Sequence, residues 1–159
     1  MAESSFFTVL DKVDSTNNYA MARIDDGLAK HGMAWFAEEQ TAGKGQRGKT
    51  WASEKGKNVA MSLVLSPEAL KIASHFHLSA AVAVACFEFL EEYIDGETKI
   101  KWPNDLFWRD RKAGGILIEN HLKGSIWQYS VLGMGININQ TVFDSQIHNP
   151  VSLKQITGK

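Results

Sequence analysis

Residues 43–50 read Gly-Lys-Gly-Gln-Arg-Gly-Lys-Thr, and their flanks constrain the fold more than any other feature of the chain. The octapeptide satisfies G-x-x-x-x-G-K-[ST], while Gly43, Gly45 and Gly48 satisfy G-x-G-x-x-G. A genuine match to either pattern follows a strand and opens a helix whose N–H groups cradle a phosphate. The strand is present, because Met33 to Gln40 is strand-like. The helix is not: Trp51-Ala-Ser-Glu-Lys-Gly56 contains a breaker and leads into a β-rich run. Nor is there an apolar strand ending in a metal-binding Asp. P-loop and Rossmann architectures are therefore set aside, but the chemistry of the loop survives. Its glycines allow close backbone approach to a ligand. Lys44, Arg47 and Lys49 gather positive charge that suits a polyphosphate. From this segment alone, a solvated surface loop is an equal alternative.

The rest of the pattern mixes strands and helices. Phe6 to Val13 predicts a strand, with Ser15, Thr16 and Asn17 offering N-cap chemistry for a helix over Tyr19 to Ala29. Thr41 to Lys57 predicts loop, and Asn58 to Ser66 a strand. Leu78, Ala81, Val82, Ala85, Cys86, Phe89, Leu90 and Tyr93 follow helical spacing, and Val84 and Phe87 on other faces predict a well-buried helix. Thr98–Trp102, Leu106–Trp108, Gly115–Glu119 and Ser125–Leu132 predict further strands, the last three as an antiparallel meander. The expected class is α+β, a mixed, largely antiparallel sheet with helices packed on one face. The polar, glycine-containing segments Thr41–Lys57 and Asp110–Gly115 are expected to be mobile without ligand.

The 159 residues fit one domain, and a formal charge of −1 argues against a free-standing DNA binder. Cys86 is the single cysteine, so no internal disulfide forms, and its apolar setting predicts a structural thiol. The N-terminus lacks the basic and apolar regions of a signal peptide, and no apolar run is read as membrane-spanning. A soluble, cytoplasmic protein with no membrane partner is the expectation.

Three further clusters carry polar chemistry. In Lys101-Trp102-Pro103-Asn104-Asp105 the proline fixes φ and holds the preceding residue extended, so Asn104 and Asp105 are aimed in a set direction. An ordinary turn reads the same letters and is favoured when they stand alone. Arg111-Lys112-Ala113-Gly114-Gly115 puts a compact cation before two glycines, either for an anion or as a plain basic turn. Gly133-Met-Gly135-Ile-Asn137 suggests a bulge or close approach to a ligand, with an amide able to read a purine edge. The alternative there is an irregular strand end with an Asn cap. The five histidines show no metal-ligand spacing, and no protein-held structural metal is expected.

Taken in order, these motifs resemble those of biotin protein ligases, from about Val9 to the end of the chain. Asp14–Asn17 corresponds to that family's D-S-T-N, and Glu38–Gly48 to E-x-Q-x-A-G-[RK]-G-x-x-G. K-W-P-N-D, R-K-x-x-G-I and G-x-G-I-N follow. The resemblance implies the mixed fold shared with class II aminoacyl-tRNA synthetases and lipoate ligases. It implies ATP-dependent formation of biotinyl-5'-AMP, then transfer of biotin to a lysine of a biotin carboxyl carrier domain. Biotin would be held by Ser15, Thr16, Gln40, Gly43, Gly45, Lys112, Gly114 and Gly115. The adenylate would be held by Lys44, Gln46, Arg47, Gly48, Trp51 and Asn137, with Trp51 stacking on adenine and Asn137 bonding its edge. Lys112, Asp105, Lys44 and Arg47 would serve catalysis, and magnesium would accompany ATP near Asp105. A homodimer is compatible with the resemblance.

Two departures stand out. Gln46 replaces an arginine common in the glycine loop, which bears on retention of the adenylate. The family's further helices and C-terminal β-barrel are not included in 159 residues, nor is the helix-turn-helix domain of its repressors, so residues 1–159 are expected to be an incomplete, ligase-only catalytic domain. A lipoate or octanoate ligase is the alternative within the class, though its R-R-x-x-G-G-G is absent. A non-catalytic biotin-binding fragment and a nucleic-acid binder are the alternatives outside it.

Overall fold

Strands rich in apolar residues build one sheet, which positions every residue of interest. The computed structural model describes residues 6–68 and 70–159. Strand β1 (Phe7–Val13) leads through helix α1 (Thr16–Asp25) to β2 (Ala34–Gln40), and β1 and β2 pair in parallel. The glycine-rich segment follows, with a single 3₁₀ turn at Gln46–Gly48, and then β3 (Val59–Leu65). Helix α2 (His75–Glu91) precedes an antiparallel meander of β4 (Thr98–Lys101), β5 (Asp105–Trp108), β6 (Arg111–Lys123) and β7 (Ile126–Ile136). A short α3 (Leu153–Thr157) ends the chain behind a Ser152 capping box. The sheet order is β1-β2-β3-β7-β6-β5-β4, with only β1 and β2 parallel, so the mixed, largely antiparallel expectation holds.

The helices occupy both faces rather than one. Val64 and Val131 pack with Ala20 and Ile24 of α1. Their neighbours Leu63, Leu65 and Leu132 pack with Leu78 of α2. Adjacent residues of a strand point to opposite faces, so two apolar sets on β3 and β7 require two covers. A second part of the α2 core joins Cys86 and Leu90 to Leu106, Ile116 and Ile136. Leu90 and Leu106 are wholly buried, each contributing about 1.5–3 kcal/mol of transfer free energy.

Helix α2 itself is less buried than its composition suggests. Leu78, Ala83, Cys86 and Leu90 face the sheet, whereas Ala81 and Ala85 are exposed and Val84 is 45% exposed. By length and composition, Ile72–Glu91 at a mean hydropathy of 1.4 is long and apolar enough to cross a membrane, a match the sequence reading overlooked. The Cys86 thiol lies in the core, and burial pushes its pKa up from 9.0 to about 11. A thiolate favoured less in the folded chain than in the unfolded one withdraws stability as pH climbs from about 9 towards 11. A chromogenic disulfide reagent at pH 8 is expected to label Cys86 only as fast as the chain unfolds. Rapid labelling of the folded protein would contradict the buried placement.

Two further expectations are corrected. Helix α1 begins at Thr16, three residues before the expected Tyr19, and stops at Asp25, where Gly27 turns left-handed at φ +70°. Ser15 occupies the N-cap but its hydroxyl caps nothing. The cap comes instead from β2, where Gln40 Oε1 accepts from the Thr16 N–H at 2.8 Å. Asp110–Gly115 is not a free loop, since all but Asp110 lies in β6. Lys112 N–H donates to Asn149 O at 2.8 Å and Val151 N–H to Lys112 O at 2.9 Å, so its backbone is fixed from the C-terminal segment.

Candidate functional site

The carboxyl ends of β1, β2 and β7, the start of α1 and the first half of β6 surround a cleft of about 330 Å³. At its polar end stand Ser15, Thr16, Asn17 and Gln40, three of them on or beside the first turn of α1. Thr16 Oγ1 lies 3.2 Å from Gln40 Oε1 and 2.7 Å from the buried Ser62 hydroxyl. Ser62 Oγ is also 2.6 Å from Asn17 Oδ1. Among the described residues, the Ser15 hydroxyl and Gln40 Nε2 have no hydrogen-bond partner.

The glycine-rich segment forms the lid side of this cleft. Lys44 pairs with Thr50 across the loop, and Arg47 adopts left-handed φ 55° inside the 3₁₀ turn. Gly43 is needed for close approach: a Cβ there would lie 2.3 Å from Trp51 O, a clash with backbone that no rotamer relieves. Lys44 Nζ contacts Glu119 Oε1 at 2.6 Å and Asn18 Oδ1 at 3.2 Å. Arg47 and Lys49 have no ion-pair partner among the described residues. Asn18 also donates to Asp14, which holds that carboxyl below the usual range, with the charge of Lys44 a smaller contribution.

At the other end, the turn between β4 and β5 aims Asp105 at Lys112 across the β5–β6 pair. Lys112 Nζ donates to Asp105 Oδ1 at 2.7 Å, and Asn104 Nδ2 approaches the same oxygen at 3.2 Å. Both readings of Lys101–Asp105 are therefore right, since it is a turn and it aims a carboxylate. Trp51 lies over β6 and β7: a Cβ on Gly135 would come within 2.5 Å of the indole, and one on Gly115 within 3.4 Å of the indole and 3.5 Å of Lys112 Nζ. The two glycines thus make room for one aromatic ring and one ammonium. The indole N–H is buried and has no partner among the described residues, an arrangement that costs about 1–3 kcal/mol until something accepts from it.

Ser15, Thr16, Gln40, Lys44, Gly45, Gln46, Arg47, Trp51, Asp105, Lys112 and Gly115 thus share one cleft, as the motifs require. Gly43 and Gly48 lie on the adjoining side of the loop. Two expected site residues are elsewhere. Gly114 packs against Gly135 O and Leu106, where a Cβ would sit at 2.9 and 3.3 Å, so its lack of a side chain serves strand packing beside the cleft. Asn137 is buried outside the cleft, its amide donating to Lys112 O at 3.3 Å and Val151 O at 3.1 Å. Its amide nitrogen braces the backbone behind Lys112. Ser62 and Glu119 were missed. The only signals for them were a hydroxyl inside the apolar run Met61–Leu65 and a charge closing the run Ile116-Leu117-Ile118.

A model of the biotin/lipoate A/B protein ligase family matches residues 9–137. The chain belongs to this family. The bifunctional ligase/repressor BirA of Escherichia coli is 37% identical over 141 residues, covering 89% of this chain and 43% of that protein. The biotin–[acetyl-CoA-carboxylase] ligase of Paracoccus denitrificans is 37% identical over 133 residues, covering 82% of this chain and 53% of that one. The chain therefore spans about half the length of these relatives. The biotin protein ligase of Aquifex aeolicus, in complex with biotin and ATP, superposes with a TM-score of 0.79 at 30% identity over 96% of this chain and 61% of that chain. The Leishmania major enzyme with biotinyl-5-AMP gives 0.78 at 28% identity, covering 96% and 64%.

Proposed function

We propose that this chain is the ligase core of a cytoplasmic biotin protein ligase, which forms biotinyl-5'-AMP from biotin and ATP and passes biotin to a lysine of a biotin carboxyl carrier domain. One observation carries the reading: a polar end, a basic glycine loop, a held lysine and an aromatic ring line a single cleft. At the polar end, Ser15 Oγ and Gln40 Nε2 offer free bonds to a cyclic urea. Lys112, fixed by Asp105, supplies charge where the biotin carboxylate meets the α-phosphate, and Arg47 and Lys49 can reach towards the remaining phosphates. The carboxylate oxygen attacks phosphorus and pyrophosphate leaves. The acceptor amine then attacks the acyl carbon, losing a proton, and AMP leaves. Two anions must meet in the first step, so positioning and charge neutralisation are the useful contributions.

Magnesium would enter with ATP. Asp105 Oδ2 has no partner among the described residues, and magnesium commonly joins one or two carboxylates to substrate phosphates. Among the described residues no cluster of three acidic, His or Cys side chains forms a cage for an ion. The repressor half of the Escherichia coli relative's name is that protein's own, and the proposal concerns ligation alone.

Calorimetric titration with biotin, followed by pyrophosphate release on adding ATP and labelling of a carrier domain, tests the whole reading. Biotin binding without pyrophosphate would favour a binding-only fragment, and labelling with lipoate instead of biotin would favour the lipoate branch. Trp51→Ala is expected to weaken ATP by about 1–3 kcal/mol of lost stacking and leave biotin nearly unchanged. Equal losses for both ligands, with a lower melting temperature, would make Trp51 a packing residue only.

A further inference from the structure

We propose that Glu119 is a positioning residue of this site, tying the base of the glycine-rich loop to the polar end of the cleft. Its two carboxylate oxygens are divided between two elements. Oε1 takes Lys44 Nζ of the loop at 2.6 Å, and Oε2 takes Asn17 Nδ2 of α1 at 2.8 Å. Residues 115, 117 and 119 alternate to the cleft face of β6, so the carboxylate is delivered from a strand held there by its pairing with β7.

The Asn17 contact sets an orientation. An ionised carboxylate only accepts, so it must face the amide nitrogen of Asn17. Asn17 Oδ1 is thereby turned to Ser62 Oγ, which also holds Thr16 Oγ1 at 2.7 Å. With the Ser62 proton given to Asn17 Oδ1, the Thr16 hydroxyl donates to Ser62 Oγ, and the Thr16 N–H alone holds Gln40 Oε1 at 2.8 Å, leaving Gln40 Nε2 to the cleft. The direction of the chain from Asn17 through Ser62 to Thr16 is set at Asn17 Nδ2, chiefly by Glu119 at 2.8 Å, with the Leu117 carbonyl at 3.4 Å as the weaker second acceptor. Gly133 is part of the same device, because a Cβ there would lie 2.3 Å from Asn17 Oδ1.

The Lys44 contact sets an anchor. Lys44 sits where the loop closes on itself through its pairing with Thr50, whereas Arg47 at the tip and Lys49 carry no ion-pair partner among the described residues. The loop is held at its base and free at its tip, so a ligand can draw the tip cations inward without the whole segment detaching. Lys44 acts as the tether and is not a free charge awaiting phosphate.

The tether does not depend on the ligase reading, whereas its effect on biotin does. The experiment therefore compares Glu119→Gln, Lys44→Met and the double variant in the ligand-free chain by hydrogen exchange, and repeats each with biotin calorimetry. The amide side chain of Glu119→Gln keeps an acceptor for Asn17 but loses the charge that holds Lys44. Exchange over residues 43–50 is expected to speed about two- to fivefold in Glu119→Gln, the range of a partly exposed ion pair. The double variant should exchange no faster than the worse single, because both remove one contact. Glu119→Ala, which also removes the shorter of the two contacts of Asn17 Nδ2, should weaken biotin more than Glu119→Gln does. Additive effects in the double variant, or unchanged loop exchange in Glu119→Gln at an unchanged melting temperature, would overturn the tether. Equal biotin affinity in all the Glu119 variants would overturn the orienting role. A wild-type chain that binds no biotin would count against the ligase reading, while the exchange measurements still decide the tether.

Discussion

Replacing Lys112 by alanine is expected to slow adenylate formation about 10²- to 10³-fold at saturating biotin and ATP. The ammonium is held 2.7 Å from Asp105 Oδ1 before any substrate arrives, so its position requires no reorganisation during reaction. Charge grows on the α-phosphate as the bond to the carboxylate forms, and a fixed cation gains most there. Loss of one such preorganised donor typically costs roughly 2.7–4 kcal/mol of barrier. Arginine is not a substitute, because its planar fork places charge differently, and the space over Gly115 is shared with Trp51. Some biotin affinity should also be lost, since the carboxylate is already an anion in the ground state. Pyrophosphate release by the full-length Lys112→Ala enzyme decides the matter: a rate within a few-fold of wild type would reduce Lys112 to an ordinary turn cation.

A single methyl group at Gly135 is expected to abolish tight ATP binding. The added carbon would sit 2.5–2.9 Å from three atoms of the Trp51 indole, closer than real contacts allow. Either the ring leaves or β7 buckles. The ring is the cheaper element to move, so the loss should include the whole stacking contribution of about 1–3 kcal/mol. Overpacking of the paired strands adds a stability cost of roughly 1–3 kcal/mol. Gly135→Ala should therefore match or exceed Trp51→Ala in its effect on ATP affinity, and the two substitutions together should be clearly less than additive. Additive losses, or ATP binding at wild-type strength in Gly135→Ala, would show that the indole does not define the nucleotide end of the cleft.

What the sequence disclosed, it disclosed through neighbours in the chain. The loop, the Pro-Asn-Asp turn and the Arg-Lys pair are each a few consecutive residues, so their types and spacing survive without a fold. Ser62 and Glu119 were hidden because their partners are distant: Thr16 is 46 residues from Ser62, and Asn17 is 102 from Glu119. The start of α1 was misjudged for the same reason, since its cap is lent by Gln40 from another strand. Helix α2 misled in another way. Apolar composition all round suggested full burial, but the sheet covers only the side bearing Leu78, Ala83, Cys86 and Leu90. Asn137 kept its place in a motif while its amide turned to the backbone behind Lys112, a choice that depends on where Val151 runs.

That last contact has a consequence for how the protein can be divided. The family match ends at residue 137, yet the main chain of Lys112 is clamped on one side by Asn149 O and Val151 N. Arg111 reinforces the clamp by donating to Pro150 O at 2.6 Å. Residues 149–151 thus form a rib laid alongside Lys112, with Val151 wholly buried in the core. Any excised or split version ending at the boundary of sequence similarity would retain every motif and still lose the scaffold that aims its central charge.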